Sequence, residues 1–445
     1  MGRLAGWLEA GFALARRRGT KDVGWSLAGT AFQTAAGVVT TVLLARTLGP
    51  TGFGLLSVIM ALVFVVSGLA DIGFTASIIR LGSPEIMQGR DIRHLHTVFL
   101  LLRVAASAAL GVVVTLAGHW LLPALQLPPR FAWLAGVAAA AGVAMAVGSH
   151  FVTILQVARH QRGIAMVRSG ASALRLLAYG TLALARGLSL SSAILVALLA
   201  IPLEMALAAL AAHRTLPLWP PVLRLPPHDW LALSAWAAVP AMVGPLIGQT
   251  DTLLLAGMSS AAETGLWNAA ARIAGMVTLA SGALFAVAFP YATGVTERGA
   301  LERYLRLAGL AWAGLGAVCG AGIIVAPWVT ALFFGGAYAA AVPVLRWLLA
   351  ANGLAVGVLL LAPVAYRLGR ERLVAGMAAT QAVVNLGGDI LLIPRFGAEG
   401  CAAATLFMYA TSLALLLPLG RPRALTHMDA PQAAGGPSSA AGKNS

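Results

Sequence analysis

Leu44-Ala45-Arg46-Thr47-Leu48-Gly49-Pro50-Thr51-Gly52-Phe53-Gly54 separates two apolar runs with one tight reversal. Proline cannot continue a helix interior and glycine accepts positive φ, so Gly49-Pro50 and the Gly52/Gly54 pair read as a turn at a membrane edge. Apolar residues dominate 24–46 before it and 54–80 after it. Stretches of about 20 apolar residues cross a bilayer as helices, because a helix satisfies its own backbone polar groups in lipid. The short alternating segments of a membrane β-barrel are absent.

The same pattern runs through the chain, with 59% hydrophobic residues, 10% charged and a mean hydropathy of +0.86. A soluble domain carries roughly 25% charged residues, so lipid must cover much of this surface. Twelve candidate spans follow: 24–46, 54–80, 97–122, 131–156, 164–185, 188–212, 231–257, 265–290, 304–326, 342–365, 372–393 and 398–419. The fold expected is an all-α polytopic membrane protein, two pseudo-symmetric six-helix lobes around a central cavity. Residues 1–23 form a basic N-terminus, 24–212 the first lobe, 213–230 a linker, 231–419 the second lobe and 420–445 a disordered tail. Arg16-Arg17-Arg18 precedes an apolar run without a small-residue cleavage site, which reads as an uncleaved first span.

A net charge of +15 does not point to nucleic acid here, because the arginines are spread along the chain in small groups. Segments on the N-terminal side hold 22 of the 30 Lys and Arg residues. By the positive-inside rule both termini are expected in the cytoplasm. The two cysteines, Cys319 and Cys401, lie in apolar runs and give neither a disulfide framework nor a metal pattern. His94 and His96 fall in an inner loop, too thin a pair for a metal.

The halves repeat. Thr40-Thr41-Val42-Leu43-Leu44-Ala45 aligns with Asp251-Thr252-Leu253-Leu254-Leu255-Ala256, and the same gap-free offset places Gly37 on Gly248 and Gly54-Leu55 on Gly265-Leu266. Six spans per half is even, so the repeat is parallel, about an axis along the membrane normal. Gly37, Gly248 and the run Gly314, Gly316, Gly320, Gly322 suit close helix contacts.

The Leu44–Gly54 turn, with Ala70-Asp71-Ile72-Gly73-Phe74 and Ile78-Ile79-Arg80 after it, resembles the first outer loop and second span of polysaccharide-exporting flippases. Leu392-Ile393-Pro394-Arg395-Phe396-Gly397-Ala398-Glu399-Gly400-Cys401 and Phe334-Gly335-Gly336-Ala337-Tyr338 resemble outer turns of the same family. That family is the oligosaccharide flippases of the multidrug/oligosaccharidyl-lipid/polysaccharide exporter group. The resemblance implies a two-lobed bundle that moves lipid-linked glycans across the inner membrane. Lipid II flippases of this group usually carry two further spans, for which this chain has no room.

Charges at membrane depth need a partner, water or neutralisation. Asp71 lies roughly 13 Å from the inner end of its span and Arg103 roughly 9–12 Å into the next from the same side, so antiparallel neighbours place them at one depth. Asp251 and Arg272 match similarly near the outer ends of theirs. Each pair reads either as a structural bridge or as a cavity lining. Arg168, Arg175 and Tyr179 share a face of the fifth span, and a guanidinium grips phosphate bidentately. Glu204, beside Pro202, is an alternative partner for Arg175. Asp389 lies near an outer end, within reach of water. Candidate substrate-binding residues are therefore Arg175, Arg272, Arg103, Gln33, Gln249 and Asn268; Asn385 is a further amide of this kind. Gating or ion-coupling candidates are Asp71, Asp251 and Glu204.

No phosphate-binding Gly-x4-Gly-Lys motif, His-Glu-x-x-His or Cys-x-x-Cys occurs, and the outer loops are short. The expectation is no enzyme, no catalytic residue, no metal and no cofactor. The function expected is a flippase for undecaprenyl-pyrophosphate-type oligosaccharides in O-antigen, capsule or exopolysaccharide synthesis, working by alternating access. A cation-coupled drug exporter is the alternative, and a membrane enzyme of glycan assembly a weaker one. Expected partners are the lipid-linked glycan, membrane lipids and a polysaccharide polymerase or export machinery, with no nucleic acid and a monomeric chain.

Overall fold

The computed structural model describes residues 19–125, 133–224, 248–295 and 297–420. Among these the regular structure is helical throughout, with no strand. The helices are α1 (Gly19–Leu69), α2 (Phe74–Met87), α3 (Arg93–Ala124), α4 (Leu134–Val157), α5 (Gln161–Leu184) and α6 (Leu190–Thr215). They continue as α7 (residues 248–258), α8 (Ala261–Gly294), α9 (Arg298–Phe334), α10 (Ala341–Arg367) and α11 (Glu371–Leu416). Among the described residues eight helices are long and apolar enough to cross a membrane. Two of the eight contain a kink and each covers two expected spans: α1 turns at Gly49 (φ 67°) and α11 at Gly397 (φ 55°). The chain is thus an all-α, multi-pass membrane protein. The basic N-terminus and the tail from Arg421 lie outside the described residues, as does most of the seventh span.

One expectation fails at the second span. It is not continuous over 54–80: α1 ends at Leu69 and α2 starts at Phe74. Ile72 (φ 43°) and Gly73 (φ 75°) both take left-handed backbone, which ends one helix and starts another. Asp71 sits in that break.

Packing divides the chain into two units. The first holds the described residues up to Arg272 together with Pro327–Val344 and Asp389–Cys401; the second holds Ile273–Ala326, Leu345–Gly388 and the described residues from Ala402. In the first, α4 is the central rod. Its buried Ala138, Ala139, Ala141, Gly142, Ala146 and Gly148 let neighbours approach, and a methyl on Gly142 would lie 2.7 Å from Val66. Phe74, Ile78, Leu95, Phe99, Ile154 and Leu155 form an apolar cluster in it. Leu218 of the linker is buried and Val222 N–H donates to Thr97 Oγ1 at 3.2 Å, which ties the start of the linker to this unit. In the second unit Leu301, Val356, Leu360, Val364 and Leu416 pack together. There Tyr304 donates to the Leu360 carbonyl and Trp312 to that of Gly353, each at 2.7 Å.

The turns at Gly49, Ser259, Gly335 and Gly397 interlock within the first unit. Arg46 donates to the carbonyls of Leu332 and Phe333, capping the C-terminal end of α9, and Tyr338 donates to the Ala45 carbonyl at 3.2 Å. Glu263 accepts from Ala398 N–H at 2.8 Å, beside Gly397. At the centre α1 and α8 touch backbone to backbone. A methyl built on Gly54 would lie 1.7 Å from the Ala261 oxygen, and one on Gly265 2.0 Å from that of Pro50. Ala261 stands at the same repeat offset from Pro50 as Gly265 does from Gly54. The Gly54–Ala261 and Pro50–Gly265 contacts thus exchange under the repeat, the reciprocal arrangement of a two-fold axis. The other highlighted glycines behave differently. Among the described residues a methyl added at Gly37, Gly248, Gly314, Gly316 or Gly320 would have no neighbour within 4 Å, while one at Gly322 would abut Leu349 at 3.0 Å.

Candidate functional site

One polar cluster of the first unit is built on the α1–α2 break. Asp71 Oδ1 accepts from the backbone N–H of Thr75 at 3.0 Å and from its hydroxyl at 2.9 Å, so the carboxylate caps the start of α2. The same oxygen accepts from Arg103 Nη2 in an ion pair. Arg103 also donates to Ser149 Oγ at 2.8 Å and to Thr75 Oγ1 at 2.9 Å. The expected Asp71–Arg103 bridge therefore forms. Arg103 is only 1% exposed, which removes it from the substrate-binding candidates: its charge is consumed by Asp71 and the helix break.

Arg175 lies on α5, about 13 Å from the nearer helix end at 1.5 Å per residue. Its Nη2 stands 3.6 Å from Glu204 Oε2, and both side chains are about one-third exposed, at 33% and 31%. That is a loose pair, open to a competing anion. Tyr179 does not extend the Arg175 face: it is buried, with its hydroxyl on the Ala193 carbonyl of α6 at 3.2 Å. Arg168 is exposed.

Arg272 is exposed on α8, about 16 Å along the helix from Ala261. The expected Asp251–Arg272 pair does not form, and Arg272 has no acidic partner among the described residues. Asp251 faces α11 instead. One ligand atom from each of Asp251, Asp389 and Cys401 lies within 4.8 Å of the others. Asp389 and Cys401 are fully buried, so Asp389 does not reach water as its place in the span implied. Two carboxylates so close in an apolar interior repel unless a cation or a shared proton stands between them. The oxygen pair suits a hard cation, with the thiol closing the wall. A metal site was not expected from the sequence, because its three members lie on separate helical segments with no short spacing motif.

The amides are mostly structural. Gln33 donates to Gly29 of its own helix at 3.0 Å. Asn268 donates to Thr264 at 2.9 Å and to Thr252 at 3.3 Å, which joins α7 to α8. Gln249 makes no hydrogen bond among the described residues. Asn385 is buried one helical turn before Asp389.

Residues 20–294 match the family model described as "Polysaccharide biosynthesis protein". The chain belongs to the polysaccharide biosynthesis protein family. Solved structures share its fold. An inward-facing multidrug resistance MATE family transporter of the MOP superfamily superposes with a TM-score of 0.70 at 16% identity, over 90% of this chain and 96% of that one. The lipid II flippase MurJ in an inward closed conformation gives 0.69 at 14% identity, over 89% and 87%. A point mutant of the Vibrio cholerae MATE transporter VcmN gives 0.59 at 16%, over 90% and 95%. No curated protein matches the sequence significantly.

For this member of the family, one further polar cluster escaped the sequence reading. His96 lies not in a loop but on α3, buried, with its Nδ1 3.0 Å from His150 Nε2. The two are 54 residues apart, and no local spacing joins them.

Proposed function

We propose that the protein is a flippase that turns undecaprenyl-pyrophosphate-type oligosaccharides from the cytoplasmic to the periplasmic face of the bacterial inner membrane. Membership in a polysaccharide biosynthesis family and the fold shared with flippases and exporters support transport rather than catalysis. The observation that carries the substrate class is the state of Arg175: a guanidinium at membrane depth, half-open and held only loosely by Glu204. Arg272, exposed on a membrane helix, is the second cation of this kind. Together they suit a pyrophosphate, which neither a cationic drug nor a neutral lipid offers. Alternating access presents them to one side and then the other, while the lipid tail stays in the bilayer.

Deleting the gene in a strain without a redundant flippase is expected to accumulate lipid-linked glycan on the cytoplasmic face. Normal glycan export after deletion would count decisively against the reading. Arg175→Gln is expected to cut export at least tenfold, about 1.4 kcal/mol, at unchanged membrane levels. Full export by that variant would remove Arg175 from the substrate path.

The Asp251–Asp389–Cys401 cluster supports cation coupling in this reading. Sodium, compared with choline, is expected to raise the melting temperature of the purified protein. The gain is about 2.7 kcal/mol at a hundredfold excess over Kd, and Asp389→Asn abolishes it. An equal sodium response in the variant would show that the cluster holds no sodium. The same cluster also fits a cation-coupled drug exporter, and sensitivity of the deletion strain to cationic dyes, with intact glycan, would favour that reading.

A further inference from the structure

The first unit contains a file of ionisable side chains that the transport reading leaves unused. His150 is fully buried on α4, and His96 on α3 is 6% exposed. His150 Nε2 and His96 Nδ1 are hydrogen-bonded at 3.0 Å. The His96 ring meets His213 of α6 edge-on, with centroids 6.4 Å apart. His213 is exposed in the last turn of its helix, so the file opens to water there. Phe151 packs on all three rings and seals the flank. Ser149, next to His150 in the chain, accepts from Arg103, and Arg103 is paired with Asp71.

Two buried atoms on this route, His150 Nδ1 and Arg103 Nε, have no hydrogen-bond partner among the described residues. Native interiors rarely leave such atoms unsatisfied, and those that persist mark a bound water, an ion or a working group. With His150 Nε2 donating the bond between the rings, His150 Nδ1 carries a lone pair. Each neutral ring then holds one N–H, and a third proton fits on that nitrogen.

We propose that the His96–His150 pair is a proton-binding site, loaded from water through His213 and acting on the α1–α2 break through Arg103. In the loading step one proton leaves water and binds a ring nitrogen; no other bond changes and no electrons transfer. The groups facing the pair are Arg103 from α3, Asp71 from the break behind it and His213 from α6. The new positive charge therefore stands beside a guanidinium, and the acid that responds is Asp71. Its Oδ1 holds both Arg103 and the N-terminus of α2, so any shift of Arg103 reaches the break. A proton bound at one end of the file is felt as a change of hinge at the other.

The test uses the full-length protein in nanodiscs and the proton itself as the probe. Proton uptake from pH 8 down to about pH 3.5 is followed with indicator dyes in weak buffer, because buried imidazoles take their proton below the usual histidine range. Wild type is expected to bind up to about one proton per chain more than the His96→Gln/His150→Gln double variant, the difference appearing in the acid part of that range. Hydrogen exchange of the peptide covering residues 68–76, corrected for the intrinsic amide rate at each pH, is expected to change several-fold across the same range in wild type and to stay flat in the double variant. His213→Gln, at an exposed site, is expected to slow uptake several-fold in stopped flow. Equal uptake by a folded double variant, or pH-independent exchange at the break, overturns the proposal. If the double variant does not fold, unchanged kinetics in His213→Gln overturn it and slowed kinetics support it. No glycan enters the experiment, so its failure leaves the flippase reading intact.

Discussion

Gly54→Ala is expected to abolish glycan export and to destabilise the protein by at least about 2–3 kcal/mol. The added methyl would stand 1.7 Å from the Ala261 carbonyl oxygen and 2.9 Å from Gly265 N. Both are backbone atoms, so no side chain can swing aside, and α1 and α8 must separate. That separation also strains the latches around the crossing, from Arg46 to the end of α9 and from Glu263 to Ala398. Gly37→Ala is the control, since among the described residues nothing lies within 4 Å of its Cβ position. Alanine is favoured over glycine in a helix by up to about 1 kcal/mol, so the control is neutral or slightly stabilised. Thermal unfolding in detergent and complementation of the deletion strain check both. If Gly54→Ala behaves as Gly37→Ala does, the crossing is not a fixed contact.

Arg103→Gln is the second large effect, expected at about 3–5 kcal/mol, because it leaves the Asp71 carboxylate without its counter-charge in a largely buried site. Asp71→Asn is expected to cost at least as much: an amide oxygen still accepts from Thr75 N–H and keeps the cap on α2, but the guanidinium left without its counter-charge is only 1% exposed. Both residues act on one oxygen, so the double variant is expected to fall short of the summed losses by about 1–3 kcal/mol. Denaturant titration of the two single variants and the double closes the cycle. Additive losses would mean that the bridge and the cap are independent. A salt titration gives a second check, since a pair buried to 1% on the arginine side is screened little.

The sequence displayed the architecture well because lipid imposes one strong rule, and the Gly49-Pro50 and Gly397 turns follow it. Depth along a helix was legible too, at 1.5 Å per residue, and it found the Asp71–Arg103 pair. Rotation about the helix axis was not. Asp251 and Arg272 share a depth but face different neighbours, and Tyr179 turns to α6 instead of following Arg175. Like-charge partners are harder still: nothing local suggests that Asp251 meets Asp389, and electrostatic intuition argues against it. The break at Asp71 was hidden because Ala70-Asp71-Ile72-Gly73 interrupts an apolar run too briefly to register as a loop. The expected division into lobes at the linker rests on span number, and packing divides the chain along different lines.

The crossing of Gly54 and Gly265 has the geometry of a dimer joint. A contact that recurs when both residues are replaced by their repeat counterparts is what two identical subunits make when they pair symmetrically. Here both sides of that joint lie in one chain, and the two halves differ around it. One now keeps an acid and a base around a broken helix, and the other keeps two acids and a thiol, while the glycines between them could not change without opening the joint.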